Sequence, residues 1–173
     1  MIVRERENEF VLITQHDHGK ISGDIAKHLR GELFFHRRKD DVVFAAYEHD
    51  RCWTMLDRVC RIDSETMTPY SFLNYPFTEK MSAYSQGLDE IEQKNEYAGL
   101  LCSMHFTELV RLDPHPPESD AFVRKEEYRQ NKILERLPRV DFREIKRHLE
   151  ILQFCDRLSL YVCLNEPGVP KDR

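Results

Sequence analysis

No apolar run in the 173-residue chain approaches the ~20 residues that a membrane-spanning helix needs, so a transmembrane helix is excluded from it. The N-terminus, MIVRERENEF, is charged from its fourth residue and lacks the apolar core of a signal peptide. Glycine is scarce, at six residues, and none builds a Gly-rich phosphate loop or a GxSxG nucleophile elbow. The five cysteines (Cys52, Cys60, Cys102, Cys155 and Cys163) are odd in number and contain no CxxC pair or zinc-finger spacing. Reduced thiols in a cytoplasmic protein are therefore expected. Positive charge is not in excess: the net charge of −5 argues against a general nucleic-acid coat, although a local basic cleft stays open. Repeats and low-complexity tracts are also missing.

What remains is a chain of ordinary single-domain length, 40% hydrophobic and 33% charged, large enough for a sizeable core. Strand patterning occurs only at the start, where MIVRE and EFVLITQ flank Arg6–Glu9 and predict a β-hairpin within residues 1–15. Helical periodicity then runs over 16–164. DHGKISGDIAKHLRG predicts a first helix ended by Gly31, and DDVVFAAYEHDRCWTMLDRVC a second one capped by Asp40 or Asp41. RIDSETMTPYSFLNYP reads as a loop. The stretch from Phe77 to Leu112 predicts one or two helices, starting near Thr78 with possible breaks at Gly87 and Gly99. DPHPPES is a loop because of its prolines. A charged surface helix follows, ended by Pro138, and Asp141 opens the last helix. Residues 165–173 read as a frayed tail or a linker. The fold class expected is mainly α, a helical bundle with a small N-terminal hairpin.

A buried ionisable group costs free energy unless it is paired or ligates a metal, so polar residues on apolar stripes carry the information. Four helices each show one. His18 lies three, seven and eleven residues before Ile21, Ile25 and Leu29. His49 follows Val42 and Ala45 by seven and four and precedes Trp53 and Leu56 by four and seven, with Asp50 beside it. His105 stands at those same spacings between Ala98, Leu101, Leu109 and Leu112. Asp156 follows Leu149 and Leu152 by seven and four. Each has a plain structural reading: a core histidine held by hydrogen bonds, or an aspartate paired with a neighbour such as Arg157. All four together are also compatible with a buried hydrogen-bonded cluster without metal. A shared cause would be one metal site inside a helix bundle, since imidazoles and carboxylates suit divalent zinc, manganese, iron or magnesium.

The order His … His-Asp … Asp resembles the HD-domain superfamily of metal-dependent hydrolases. The likeness rests on HGKISGDIAKHL, AAYEHD and FCDRLSLYV, and spans about residues 15 to 164. The chain as a whole also resembles a bacterial family of uncharacterised proteins with domain-of-unknown-function status. The superfamily resemblance implies that His18, His49, Asp50 and Asp156 hold a divalent ion (Mn, Mg, Zn, Fe or Co), with Asp50 able to bridge to a second. His105 stands in the region where two-metal members add histidines. A second added histidine is missing, as His115 lies in the proline loop. His16 competes with His18, and the apolar spacing favours His18. His28, His36 and His148 sit among charged residues and read as surface.

The activity so implied is hydrolysis of a nucleotide or another small phosphate ester. A bound cation lowers the pKa of coordinated water and draws charge from a phosphoryl oxygen. Lys20, Arg51 and Arg157 are candidate phosphate contacts, and Glu48 and Glu108 candidate proton shuttles. Each has the competing reading of an ordinary surface charge. Tyr70, Phe72 and Tyr75 are read as packing, or as a cover that stacks on a base. Cys52, Cys102 and Cys155 lie near these ligands, but nothing specifies a Cys/His pair. Two further functions stay open: a di-iron oxygenase of HD type, which the incomplete histidine set disfavours, and a non-catalytic domain of this type that binds a ligand or partner. Membrane partners are not expected, and a homo-oligomer is compatible with the sequence.

Overall fold

The alternating apolar residues at the start of the chain form the expected hairpin. Strand β1 (Ile2–Glu5) pairs antiparallel with β2 (Phe10–Ile13), placing Ile2 opposite Ile13 and Glu5 opposite Phe10. The Arg6 amide closes the turn on the Glu9 carbonyl at 2.9 Å. Ile2 is fully buried, whereas Phe10 and Leu12 of the outer strand are exposed. This computed structural model describes residues 1–35, 37–112, 117–137 and 140–169. His36, His115 and Pro138 lie outside the described residues, as do most of the proline loop and the end of the tail.

Among the described residues the remaining secondary structure is helical, apart from one bridge between Ile62 and Pro69 in the loop read from the sequence. The helices are α1 (Gln15–His28), α2 (Lys39–Glu48), a single turn α3 (Trp53–Leu56), α4 (Phe77–Lys94), α5 (Glu96–Leu112), α6 (Glu118–Arg136) and α7 (Phe142–Leu164). A 3-10 turn, Gly31–Phe34, lies between α1 and α2. Helix α1 packs on α2 and α7, while α5 packs on α2, α4, α6 and α7. No helix among the described residues is long and apolar enough to cross a membrane.

Several boundaries depart from the sequence reading. Helix α1 stops at His28 because Leu29 turns extended and gives its carbonyl to the Lys39 ammonium at 2.7 Å; Gly31 opens the 3-10 turn instead of ending the helix. Neither Asp40 nor Asp41 caps α2. Arg38 holds that position with φ 51°, and Asp41 pairs with Arg38 and accepts from the Asn95 amide at 2.8 Å. The break between α4 and α5 falls at Asn95, whose side-chain oxygen accepts from the Ala98 amide at 2.9 Å. Asn95 thus caps α5. Gly87 and Gly99 stay helical and serve close approach: a Cβ on Gly87 would stand 2.6 Å from the Cys52 backbone, and one on Gly99 2.8 Å from the Glu92 backbone. Asp141 caps α7 as expected, accepting from the Arg143 amide at 2.9 Å.

The largest correction concerns the second helix, which does not run on to Cys60. It ends at Glu48, and the chain tightens into bonds three residues back, from Arg51 N to Glu48 O at 2.8 Å and from Trp53 N to Asp50 O at 3.0 Å. His49 and Asp50 therefore sit in a sharp turn. Beyond α3, Asp57 accepts from the Gln15 amide at 2.7 Å and pairs with the Met1 ammonium at 2.6 Å. It thereby satisfies one of the free amides at the start of α1, where the Thr14 side chain takes the Asp17 amide.

Candidate metal centre

Two glycines bring the first two histidines together. Gly19 and Gly23 share one face of α1, and Tyr47 of α2 lies on both: a Cβ on Gly23 would meet the Tyr47 ring at 2.2 Å, and one on Gly19 the Tyr47 carbonyl at 3.0 Å. The Tyr47 hydroxyl donates to Asp24. With the helices this close, His18 on α1 and His49 just past the end of α2 converge, their rings edge to face at 5.2 Å. Helix α7 supplies Asp156 from the third side.

The converging atoms are specific. His18 Nε2 lies 3.0 Å from Asp156 Oδ1, 3.3 Å from His49 Nε2 and 3.4 Å from Asp50 Oδ2. His49 Nε2 lies 3.3 Å from Asp156 Oδ1 and 3.5 Å from Asp50 Oδ2. His105, on α5, places Nε2 3.5 Å from Asp156 Oδ2. Its ring stands 5.8 Å from that of His49. All five residues are buried, His18 completely and Asp50 and Asp156 at 7% exposure. His18, His49 and Asp156 each offer a ligand atom within 4.8 Å of the others.

The far nitrogens decide what faces inward. His49 Nδ1–H donates to the Ala46 carbonyl at 2.9 Å, a group that can only accept. His18 Nδ1–H donates to the Ser159 hydroxyl at 2.8 Å, and that hydroxyl donates onward to the Asp156 carbonyl at 2.9 Å. In their neutral forms both rings thus turn Nε2 lone pairs toward two carboxylates. Such a constellation of acceptors, buried and mutually close, calls for a cation or for protons at its centre. The donor set fits a divalent ion of the zinc or manganese type, with imidazoles oriented by acceptors behind them. In the metal-free protein, burial lowers the His49 pKa, but the charges of Asp50 and Asp156 outweigh it and hold the value at about 9. Burial raises the Asp50 carboxyl above its ordinary range. For Asp156 the raising effect of burial is overcome by hydrogen bonds from His18 and His49, which hold it well below that range. Burial lowers His105 to about 4, so it stays neutral, and its Nδ1 is buried without a hydrogen-bond partner among the described residues.

The other candidates are placed differently. Lys20 is exposed and paired with Asp17 at 2.8 Å. Arg51 is held by Glu48 at 2.8 Å and Glu90 at 2.7 Å, so Glu48 is itself engaged. Arg157 is exposed, yet close enough to His105 to help lower its pKa. Glu108 is exposed and accepts from Gln153 at 2.5 Å. His16 is half-buried, and His18 takes the place in the cluster. Tyr75 stacks edge-on against Trp53 at 5.6 Å, the packing role. Cys52, Cys102 and Cys155 are buried thiols whose pKa values burial pushes up, to about 11 for Cys155. A thiolate nucleophile is not available from them near neutral pH.

Two residues escaped or contradicted the sequence reading. Ser159 was legible only as a polar residue three positions after Asp156, on the same stripe. His148 is not at the surface: it is fully buried, accepting from the Tyr97 hydroxyl at 2.8 Å and facing the Phe34 carbonyl at 3.3 Å. Lys146 and Glu150 are exposed, Glu144 one turn back is buried, and the ring lies between α5 and the 3-10 turn. His28 is exposed as expected.

Fold and cluster together define a class: a mainly helical protein with a buried group of histidines and aspartates where four segments of chain meet. Within that class, the chain belongs to the family described as Protein of unknown function (DUF3891), which matches residues 1–173. No curated protein and no solved structure matches the chain.

Proposed function

We propose that the protein is a metal-dependent hydrolase of small phosphate esters, nucleotides among them, with an HD-type centre. One observation carries this reading: His18, His49 and Asp156 from three distant segments turn their free acceptor atoms to a common point, with Asp50 against it. His18, His49, Asp50 and Asp156 would hold the ion, which would polarise a phosphoryl oxygen and lower the pKa of coordinated water. The chain's own residues orient and dry the site. Ser159 and the Ala46 carbonyl fix the two imidazoles, while Cys52, Cys102 and Trp53 exclude solvent around the turn. Of the candidate phosphate contacts, Lys20 and Arg51 are engaged by carboxylates, whereas Arg157 is exposed.

His105 supports a second reading. Asp156 faces His18 and His49 through Oδ1 and His105 through Oδ2, the start of a two-ion arrangement such as di-iron oxygenases use. Elemental analysis of protein purified without added metal separates the two; iron at two per chain would favour the oxygenase. The phosphohydrolase reading predicts about one divalent ion per chain and turnover of phosphomonoester or phosphodiester substrates. His49→Ala is expected to lose both, and undiminished metal content and turnover in that variant would sink the proposal.

A further inference from the structure

The outer face of α7 is apolar where a surface helix is normally polar. Phe154, Leu158, Tyr161 and Val162 are 47%, 39%, 51% and 54% exposed. Beside them, Phe154 and Leu158 line a groove of about 530 Å³ with Ile21, Ile25 and Leu29 of α1. An exposed apolar stripe continuous with a groove marks an interaction surface.

The sequence of this stripe is complementary to itself. Residues 147, 150, 154, 158 and 161 share one face of α7 at steps of three and four. If a second α7 lies antiparallel on it, with the two-fold axis at Phe154, positions whose numbers add to 308 come opposite. Phe154 then meets its own copy. Arg147 meets Tyr161, a cation over an aromatic face. Glu150 meets Leu158 and reaches the adjacent Arg157. The charges are available for this. Arg157 makes no hydrogen bond or ion pair among the described residues, and Glu150 has only a 3.6 Å approach from Arg147. A two-fold interface requires such self-complementarity, each contact occurring twice.

We propose that α7 and the α1 groove form the interface of a homodimer, two copies of this chain packed antiparallel through Phe154 with Glu150–Arg157 pairs across the axis. Sedimentation equilibrium over a concentration series tests this with the full chain. The wild type should fit a reversible dimer and Phe154→Asp a monomer of unchanged helicity by circular dichroism. Glu150→Arg and Arg157→Glu should each weaken the dimer about tenfold, through two lost pairs and new like-charge contacts. The double variant should recover most of the loss, a result that misfolding cannot imitate. A wild type that stays monomeric overturns the proposal, as does a dimer indifferent to Phe154→Asp or a double variant without recovery. Flotation of wild type with anionic phospholipid vesicles, lost in Phe154→Asp, would assign the face to a lipid surface and equally overturn it.

Discussion

At the scale of single residues, the chemistry turns on what holds the far nitrogen of each imidazole. A neutral ring whose Nδ1–H is committed to an acceptor must offer Nε2 as a lone pair, and a fixed ring loses no rotational freedom on ligating an ion. For His49 the acceptor is its own helix, through the Ala46 carbonyl, and cannot be mutated away. For His18 it is Ser159 on α7. Ser159→Ala should therefore weaken binding of manganese or zinc about 10–100-fold, with Ser159→Thr closer to wild type. Calorimetric titration reads the effect without any assay of turnover. Equal affinity in the alanine variant would show that Ser159 does not orient the ring. His105 lacks such an acceptor, which is why its placement near Asp156 alone does not equate it with the other two.

At the scale of elements, close approach and interruption matter more than helix length. The glycine pair of α1 lets α2 come near enough for His18 and His49 to meet, and the early end of α2 swings Asp50 toward the same point. His148 does a different job, joining α7 to α5 and to the 3-10 turn through Tyr97 and Phe34. Burial lowers its pKa below the ordinary value of about 6.5. The folded protein then binds fewer protons there than the unfolded chain. The stability linked to His148 is complete above about pH 6.5 and is lost as the pH falls through the lowered folded value. Urea unfolding followed from about pH 7.5 to about pH 5, either side of the ordinary histidine value, is expected to show this loss, and His148→Gln should flatten that part of the profile. A wild-type profile as flat as that of the variant would contradict the assignment.

At the scale of the whole molecule, the cluster links parts of the chain far apart in sequence; His18 and Asp156 are 138 residues apart. The unfolded chain cannot assemble such a site, so an ion that binds it stabilises only the folded state. At a free concentration a hundred times its Kd the gain is ~2.7 kcal/mol. At roughly 2–4 °C per kcal/mol for a chain of this size, the melting temperature should rise by about 5–11 °C. Chelation should reverse the rise. A melting temperature indifferent to manganese, zinc and chelator alike would mean that the acceptors are satisfied by protons alone.

Periodicity determined the class of fold, the N-terminal hairpin and the inward turn of His49 and Asp156, because burial of a stripe is written in the spacing of Val42 and Ala45 before His49, or of Leu149 and Leu152 before Asp156; on α1 the buried face that carries His18 is Gly19, Ser22, Gly23 and Ala26, while Ile21, Ile25 and Leu29 are only half-buried. Periodicity did not determine where helices stop. That depends on which distant group takes a carbonyl or an amide: Lys39 on Leu29, Asn95 on Ala98, the His49 ring on Ala46. Nor did it distinguish a buried His148 from a surface one, since Lys146 and Glu150 beside it are exposed charges and Glu144, one turn back, is a charge that is buried with it. Convergence was decided only by tertiary structure. Four polar residues on four apolar stripes can face four separate places; the contact of Tyr47 with Gly19 and Gly23, and of α7 with α1, makes them face one.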